Sequence, residues 1–370
     1  MERRELAVGV GVGVSVLAIL AVGVGWETVV SRVLAADLQL FALAVVASAL
    51  SIIAWTLSVY ALVHRVPNAP GARQFAVLYL SSSVVKQVLP LGSASGPAVI
   101  AYVVSRYSDV SLERILLATT VSGFLGVVAS GVVAVVGLFV VMATQPVPAW
   151  LLRLVLGLVS VGVVLLGVVT VLAIWPSVLR QTVLRLAGAL HPSVTRLSSR
   201  AGAALEPSKV RTYLDRFIET GELVAEAPRS VALSFLGSIL GWLLMAAALT
   251  LSLEAVRLPA SYALAMFAVP VSGVATVVPL PGGLGGVEAT LSTLVSLATG
   301  NGVASVGAGI VLYRLSTFWF RLLVGSVAAV ATLGRHGVGS RALKRVETEV
   351  GNGTYEGDLD HRTAESEADG

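Results

Sequence analysis

The stretch Pro279-Leu-Pro-Gly-Gly-Leu-Gly-Gly286 interrupts an apolar segment that extends from residue 261 to residue 299. Proline removes a backbone donor and glycine favours turns, so a helix that enters these eight residues ends there. Each flanking run is shorter than the ~20 residues that one helix needs to cross the hydrocarbon core of a bilayer. The segment is therefore predicted to form a hairpin of two half-helices.

A second interruption of the same kind lies earlier in the chain. Residues 90–97 read Pro-Leu-Gly-Ser-Ala-Ser-Gly-Pro and divide an apolar segment over residues 76–104. The two interruptions align loosely, Val88-Leu-Pro-Leu91 with Val277-Val-Pro-Leu280 and Gly96 with Gly285. Irregular backbone at membrane depth is tolerated only where it is buried in protein or lines a cavity.

The remaining apolar runs are uninterrupted and long enough to cross a bilayer. They cover residues 6–25, 38–62, 115–142, 150–174, 230–253 and 303–330. Hydrophobic residues make up 56% of the 370-residue chain and charged residues 12%, against about 25% charged residues in soluble domains. The sequence predicts an all-α polytopic membrane protein with six full spans and two broken hairpins. The run over 6–25 exceeds the core of a signal peptide, which favours a retained span.

Basic residues in the loops predict the orientation, because cytoplasmic loops of membrane proteins are enriched in lysine and arginine. Arg3 and Arg4, together with the basic residues from Arg335 to Arg345, place both chain ends in the cytoplasm. Basic loops flank the first hairpin on both sides, at residues 65–73 and 106–114. The first hairpin is therefore predicted to open from the cytoplasm and the second from the outside of the cell membrane.

The same order of elements occurs twice along the chain. Two spans, a hairpin and a third span fill residues 6–142 and again residues 150–330, and the predicted orientation of the second set is opposite to that of the first. This arrangement is typical of inverted-topology repeats, which place broken helices in corresponding positions. The alternative is that the prolines kink two ordinary spans in each hairpin.

Residues 1–334 are thus predicted to form one membrane domain. Within it, residues 176–229 mix apolar positions with arginines and are predicted to lie as amphipathic helices on the cytoplasmic surface. Residues 335–370 are rich in glycine, glutamate and aspartate and are predicted to be a disordered acidic tail.

Four ionisable residues lie at membrane depth, where charges are costly and mark functional sites. They are Lys86, Glu288, Arg314 and Arg321. Arg321 follows Arg314 by seven residues and is predicted to share its helix face. Structural alternatives remain open: Arg321 snorkels to the interface, Lys86 lies in a shallow hairpin, and Glu288 caps its helix or pairs with Arg314.

The half-helix after the second interruption directs its N-terminus at the hairpin tip, which suits an anion. The residues predicted to bind an anionic substrate are Lys86, Ser93, Ser95, Pro281, Gly282, Gly283, Gly285, Gly286, Glu288, Tyr313, Arg314 and Arg321. Serines 81–83, 93 and 95 either bond a polar headgroup or satisfy the broken backbone.

Several chemistries lack support in the sequence. The chain has no cysteine, and its four histidines are scattered. We find no catalytic triad, paired carboxylates, metal cluster or nucleotide-binding loop. No catalytic residue, metal or cofactor is therefore predicted, and transport would need no nucleotide. Nucleic-acid binding is also disfavoured, because no basic soluble domain is present to carry it.

Two motifs together resemble the lysylphosphatidylglycerol synthase transmembrane, or flippase-like, family. They are Pro281-Gly-Gly-Leu-Gly-Gly-Val-Glu288 and Leu312-Tyr-Arg-Leu-Ser-Thr-Phe-Trp319, and a weaker likeness covers about residues 6–330. The resemblance implies a lipid-handling membrane module. In the bifunctional relatives this module moves an aminoacylated phospholipid between leaflets, and a separate soluble domain makes that lipid.

The sequence departs from this family in two respects. Only residues 335–370 follow the last span, so aminoacyl transfer by this polypeptide is not expected. Gly96 is followed by Pro97 where the family implies an acidic residue. Similar stand-alone modules linked to dolichol-phosphate sugar pathways imply a polyprenyl-phosphate lipid as the other candidate substrate.

The leading hypothesis is a flippase or transporter for an anionic phospholipid or a polyprenyl-phosphate lipid. In it, Lys86, Arg314 and the half-helix N-termini bind the headgroup. Glu288 pairs with Arg314 and exchanges partners as the headgroup passes. The alternative is an accessory or membrane-embedded transferase subunit, with Glu288 as its candidate base. Its partner would be a lipid-modifying enzyme or a glycosyltransferase.

Overall fold

The computed structural model describes residues 26–88, 96–144, 227–277 and 281–336, together with a few isolated positions between 157 and 211. All regular secondary structure in these residues is helical. The predicted spans over 6–25 and 150–174 lie outside the described residues, except for position 157. So do most of the predicted surface insertion and nearly all of the acidic tail.

Ten α-helices occur in the described residues of 26–144 and 227–336. They are α1 Trp26–Leu34, α2 Leu38–Val63, α3 Ala72–Val88, α4 Gly96–Arg106, α5 Leu112–Thr144, α6 Pro228–Ala255, α7 Tyr262–Val274, α8 Gly286–Thr299, α9 Val303–Arg314 and α10 Phe320–His336. By length and composition, four segments among the described residues can cross a membrane: Leu38–Val63, Leu112–Thr144, Pro228–Ala255 and Val303–Thr332. They coincide with four predicted spans, and the prediction of an all-α polytopic membrane protein is confirmed.

The interruption predicted from proline and glycine is present between α7 and α8, whereas residues 89–95 of the first hairpin lie outside the described residues. Helices α3 and α4 have 17 and 11 residues, and α7 and α8 have 13 and 14. At ~1.5 Å per residue these helices are about 16–26 Å long, against ~30 Å of hydrocarbon. Each hairpin therefore consists of two helices that are individually shorter than the bilayer core.

Helix α1 was not expected from the sequence. It begins with Glu27 in its first turn and carries Arg32 in its last, which suits the helix dipole at both ends. Val29 is buried, and α1 packs against α9. Its nine residues are too few for hydrophobic periodicity to separate a short helix from a loop.

Small residues bring α2 and α6 into close contact. The hydroxyl of Ser58 donates to the carbonyl oxygen of Ser234 at 2.7 Å and lies 2.9 Å from the hydroxyl of Ser238. Close packing and hydrogen bonds of this kind hold helices together in lipid, where the hydrophobic effect does not. A different face of α2 exposes a stripe of large apolar side chains that suits contact with lipid: Leu43, Val46, Leu50, Ile53 and Leu57.

Each half of the described chain has its own apolar core. Buried residues of α2, α3, α4 and α5 form one cluster, which includes Leu62, Phe75 and Ile115. Buried residues of α6, α7, α8 and α9, joined by α1, form the other, which includes Leu253 and Leu291. The two halves meet through the pairs α2 and α6, α3 and α10, α5 and α7, and α5 and α6.

Two glycines allow the halves to exchange contacts. Helix α10 packs on α3, where a Cβ at Gly325 would lie 2.8 Å from the carbonyl oxygen of Leu80. Helix α5 packs on α7, where a Cβ at Gly137 would lie 2.7 Å from the carbonyl oxygen of Ala263. When the two hairpin tips are aligned, Gly96 with Gly285, Gly137 falls within one residue of Gly325. This symmetry supports the repeat; its inverted orientation stays a prediction.

Replacing Gly325 with leucine should destabilise the protein by about 1–3 kcal/mol, because the new side chain forces α3 and α10 apart. Thermal unfolding of the purified protein in detergent measures the change. Gly131→Leu is the matched control, because a Cβ at Gly131 meets nothing within 4 Å. Equal unfolding temperatures for the two variants would contradict the close contact.

The predicted orientation can be tested by labelling single cysteines, since the natural chain has none. Gly71 and Gly302 are both exposed, with open space around them. An impermeant maleimide added to sealed right-side-out cells or vesicles should label Gly302→Cys and leave Gly71→Cys unlabelled until the membrane is opened. Labelling of both variants in sealed vesicles would contradict the inverted arrangement.

Candidate functional site

Glycines build the turn between α7 and α8. Gly282, Gly283 and Gly285 have φ angles of 60°, 65° and 84°, in the left-handed region that side chains disfavour. A Cβ at Gly282 would overlap the ring of Phe318. The predicted binding role of these glycines is untested, and what the structure shows is that the turn requires them.

The oppositely charged side chains of Glu288 and Arg314 bond to the backbone of this turn. The Oε1 atom of Glu288 lies 2.7 Å from the Nε atom of Arg314, in an ion pair whose Nε–H is not aligned for a hydrogen bond. Arg314 donates through Nη2 to the carbonyl oxygen of Gly282 at 3.0 Å. The Oε2 atom of Glu288 accepts the backbone N–H of Gly285 at 2.7 Å. We call these four residues the clamp.

The clamp confirms the pairing of Glu288 with Arg314 that the sequence predicted. It also changes the expected use of the α8 N-terminus. Instead of standing open to a ligand, this end of the helix is met by the carboxylate of Glu288. Both carboxylate oxygens are engaged, and only 16% of the Glu288 side chain and 12% of the Arg314 side chain is exposed. The pair is thus largely desolvated.

A π-helical segment, Leu315–Trp319, separates Arg314 from Arg321. The hydroxyls of Ser316 and Thr317 donate to the carbonyl oxygen of Tyr313, which itself lies in the apolar core. The wide π-turn shifts the helix register, so a seven-residue spacing no longer aligns two side chains. Arg314 pairs with Glu288. The guanidinium of Arg321 lies instead over the ring of Trp55.

Arg321 lies in a second cluster, beside the end of α3. A cavity of about 40 Å³ is lined by Ile52, Trp55, Tyr79, Leu80, Ser82, Ser83, Lys86, Gln87 and Arg321. We call it the basic cavity. Among the residues that the structure describes, its lining contains two cations and no acid. Gly325, one turn after Arg321, makes this arrangement possible because it lets α10 approach Leu80 and Ser83 closely.

The polar groups of the basic cavity are incompletely partnered. The guanidinium of Arg321 lies over the ring of Trp55 at 4.7 Å. The Nζ atom of Lys86 is 3.1 Å from where a Cβ of Gly96 would be, so its side chain reaches the first residue of α4. Among the described residues, the buried Nε2 atom of Gln87 has no hydrogen-bond partner.

The serines of the first hairpin act mainly on their own helix. Ser81, Ser82 and Ser83 donate to the carbonyl oxygens of Val77, Tyr79 and Leu80, and the Ser81 hydroxyl also contacts Thr332. Of the two roles that the sequence left open, backbone satisfaction is the one observed for these three. Ser93 and Ser95 lie outside the described residues.

A larger cavity of about 280 Å³ occurs where α5 and α8 end and α7 begins. Its lining is neutral: Val141, Thr144, Pro259, Ser261, Leu264, Ala298, Thr299 and Asn301. Because it offers no charge, it gives no specific reason to expect an anionic ligand.

The structure therefore divides the predicted site residues into two groups. Glu288 and Arg314 belong to the clamp, whereas Lys86 and Arg321 line the basic cavity. The groups are neighbours, because the turn Pro281–Gly283 contacts α3. The sequence did not predict that Trp55, Tyr79 and Gln87 line the cavity. Single aromatic or amide residues in apolar helices carry no periodic signal that separates a cavity from a lipid-facing surface.

Breaking the clamp on one side should destabilise the protein by about 3–5 kcal/mol, because a buried charge loses its partner. Unfolding of Glu288→Gln, Arg314→Gln and the double variant in detergent forms a double-mutant cycle. We expect the double variant to lose less stability than the sum of the two single variants. Additive losses would show that the two side chains do not stabilise each other.

Comparison with known families agrees with this arrangement of helices and motifs. No curated protein matches the chain. The family model for the lysylphosphatidylglycerol synthase TM region matches residues 6–325, which include the turn, the clamp and the basic cavity. The chain therefore belongs to the lysylphosphatidylglycerol synthase TM region family.

Proposed function

We propose that this protein moves a lipid with an anionic headgroup between the two leaflets of the cell membrane. Membership of a membrane family named for a lipid synthase supports a lipid-related role. The observation that carries the proposal is the basic cavity, where Lys86 and Arg321 occur without an acidic partner in the lining. Isolated charges inside a membrane domain are costly and commonly mark a substrate path.

The depth of these two cations supports a role in transport. Lys86 is about 21 Å along α3 from Ala72, and Arg321 is about 22 Å along α10 from His336. Both helix ends are predicted to face the cytoplasm. The distances exceed what a lysine or arginine side chain spans, which argues against the alternative that Arg321 snorkels to the interface.

In our proposal the two hairpins belong to the parts of the protein that move during transport. The turn Pro281–Gly283 of the second hairpin contacts α3 of the first hairpin. Transporters with inverted repeats bind substrate where broken helices meet and rock one repeat against the other. In our proposal the contacts of α10 on α3 and of α5 on α7 are the surfaces along which the halves move.

The contacts within the clamp restrict how Arg314 and Glu288 can bind a substrate. Contact between Arg314 and a headgroup would first require Glu288 or the Gly282 carbonyl to release it. We propose that the clamp shapes the hairpin tip and that Lys86 and Arg321 make the first contact with the headgroup. The transferase alternative needs a free base, whereas Glu288 has both oxygens engaged.

Removing either cation should slow lipid exchange. A hydrogen bond to a charged group is worth ~1.5–3 kcal/mol, so Lys86→Gln and Arg321→Gln should each reduce the rate by about 10–100-fold. The measurement is quenching of a fluorescent phosphatidylglycerol analogue in proteoliposomes of the full chain. Arg106→Gln is the matched control, because Arg106 is exposed at the end of α4.

Two results would contradict the proposal. One is a leaflet exchange rate in proteoliposomes no faster than in protein-free vesicles for every lipid tested. The other is equal loss of exchange in the Arg106 control and the cavity variants, which would assign the effect to general charge rather than to the basic cavity.

A further inference from the structure

Resting on this proposed function, we infer that the basic cavity binds a compact lipid phosphomonoester and excludes a cationic aminoacylated headgroup. The inference concerns the substrate class of the cavity formed around Lys86, Gln87 and Arg321. The substrate class that we infer differs from lysylphosphatidylglycerol, the lipid that appears in the family's name.

Charge is the first reason. A phosphomonoester carries about −1.5 to −2 charges near pH 7, which two neighbouring cations match. A phosphodiester carries a single negative charge, and a lysyl ester adds ammonium groups that Lys86 and Arg321 would repel. No acid in the described part of the chain lines the cavity, and neighbouring Glu288 is bound by Arg314 and the Gly285 N–H. A cationic headgroup therefore has no counter-charge here.

The position of Lys86 gives the second reason. Its ammonium group lies at Gly96, the first residue of the 11-residue helix α4. A helix N-terminus carries a partial positive charge, so a neighbouring cation is unfavourable unless an anion accompanies it. An anion beside Lys86 would interact favourably with both groups, whereas an aminoacyl ammonium would add a third positive charge.

The donors provide the third reason. Stacking on Trp55 occupies a face of the Arg321 guanidinium and leaves its in-plane N–H groups for a ligand. These donors form a planar fork that binds two oxygens of a phosphate at once. The unpartnered Nε2 atom of Gln87 supplies another buried donor on the same cavity. Three donor side chains thus surround a space that would otherwise hold unmet polar atoms.

Size is the fourth reason. A cavity of about 40 Å³ accommodates a group the size of a few water molecules. A terminal phosphate is such a group. A sugar or an amino-acid ester beyond the phosphate would have to displace the rings of Trp55 or Tyr79, which line the same space.

Binding to the full chain in detergent tests the inference. The probes are inorganic phosphate, phosphatidate, an isoprenyl monophosphate, phosphatidylglycerol and lysylphosphatidylglycerol. We expect both lipid monophosphates to bind at least tenfold more tightly than phosphatidylglycerol, and lysylphosphatidylglycerol not to bind. Competition by inorganic phosphate would show that the phosphate group itself is recognised, and the two monophosphates distinguish a glycerolipid from an isoprenoid source.

Variants separate recognition from folding. Lys86→Gln should weaken monophosphate binding at least tenfold, and the charge-preserving Lys86→Arg should restore most of it. Gln87→Glu adds the missing acid, so it should weaken monophosphate binding and allow lysylphosphatidylglycerol to bind. Arg106→Gln should leave all affinities unchanged.

The inference is overturned if lysylphosphatidylglycerol binds the natural chain as tightly as phosphatidate, or if Gln87→Glu leaves the preference unchanged. Leaflet exchange measured on the same preparations separates this result from the proposed function. Selective binding without exchange of lipid between leaflets would overturn the transport proposal and leave the site assignment intact. Exchange of every lipid regardless of charge sinks the selectivity and leaves transport.

Discussion

The backbone of residues 281–285 leaves the helical hydrogen-bonding pattern inside a membrane domain, where lipid offers no partner to a free N–H or C=O group. Arg314 donates to the Gly282 carbonyl, and Glu288 accepts the Gly285 N–H. The ion pair thus supplies two partners that the interruption removed, and each unmet group would cost several kcal/mol. The packing of α8 and α9 around the turn depends on this arrangement.

The clamp also determines the charge of its surroundings. The described residues contain acids at helix ends and in loops, such as Glu113 and Glu254, and Glu288 is the acid at the hairpin tip. Because Arg314 and the turn engage Glu288, it does not neutralise Lys86 or Arg321. Two cations are left beside a buried amide at the end of α3. Because Glu288 pairs with Arg314 at the second interruption, it does not offset the charges of the neighbouring cavity. That cavity therefore stays positively charged.

The sequence predicted most of the helical framework, because apolar length and proline–glycine breaks act locally. The described spans, both hairpins and the Glu288–Arg314 pair follow from it. It did not predict the π-segment between Arg314 and Arg321, in which the ring of Phe318 packs against Gly282 of the turn. Nor did it predict Trp55 and Gln87 in the cavity, since orientation toward protein or lipid is decided by helix packing.

The two hairpins share a plan but differ at the N-terminus of their second helix. In the second hairpin Glu288, a carboxylate of the same helix, meets the N-terminus of α8. In the first hairpin the ammonium group of Lys86 lies at Gly96, where α4 begins. An N-terminus with its own carboxylate needs no external anion, whereas one beside a cation is stabilised by binding one. In our proposal this difference assigns structural closure to the second hairpin and ligand recognition to the first.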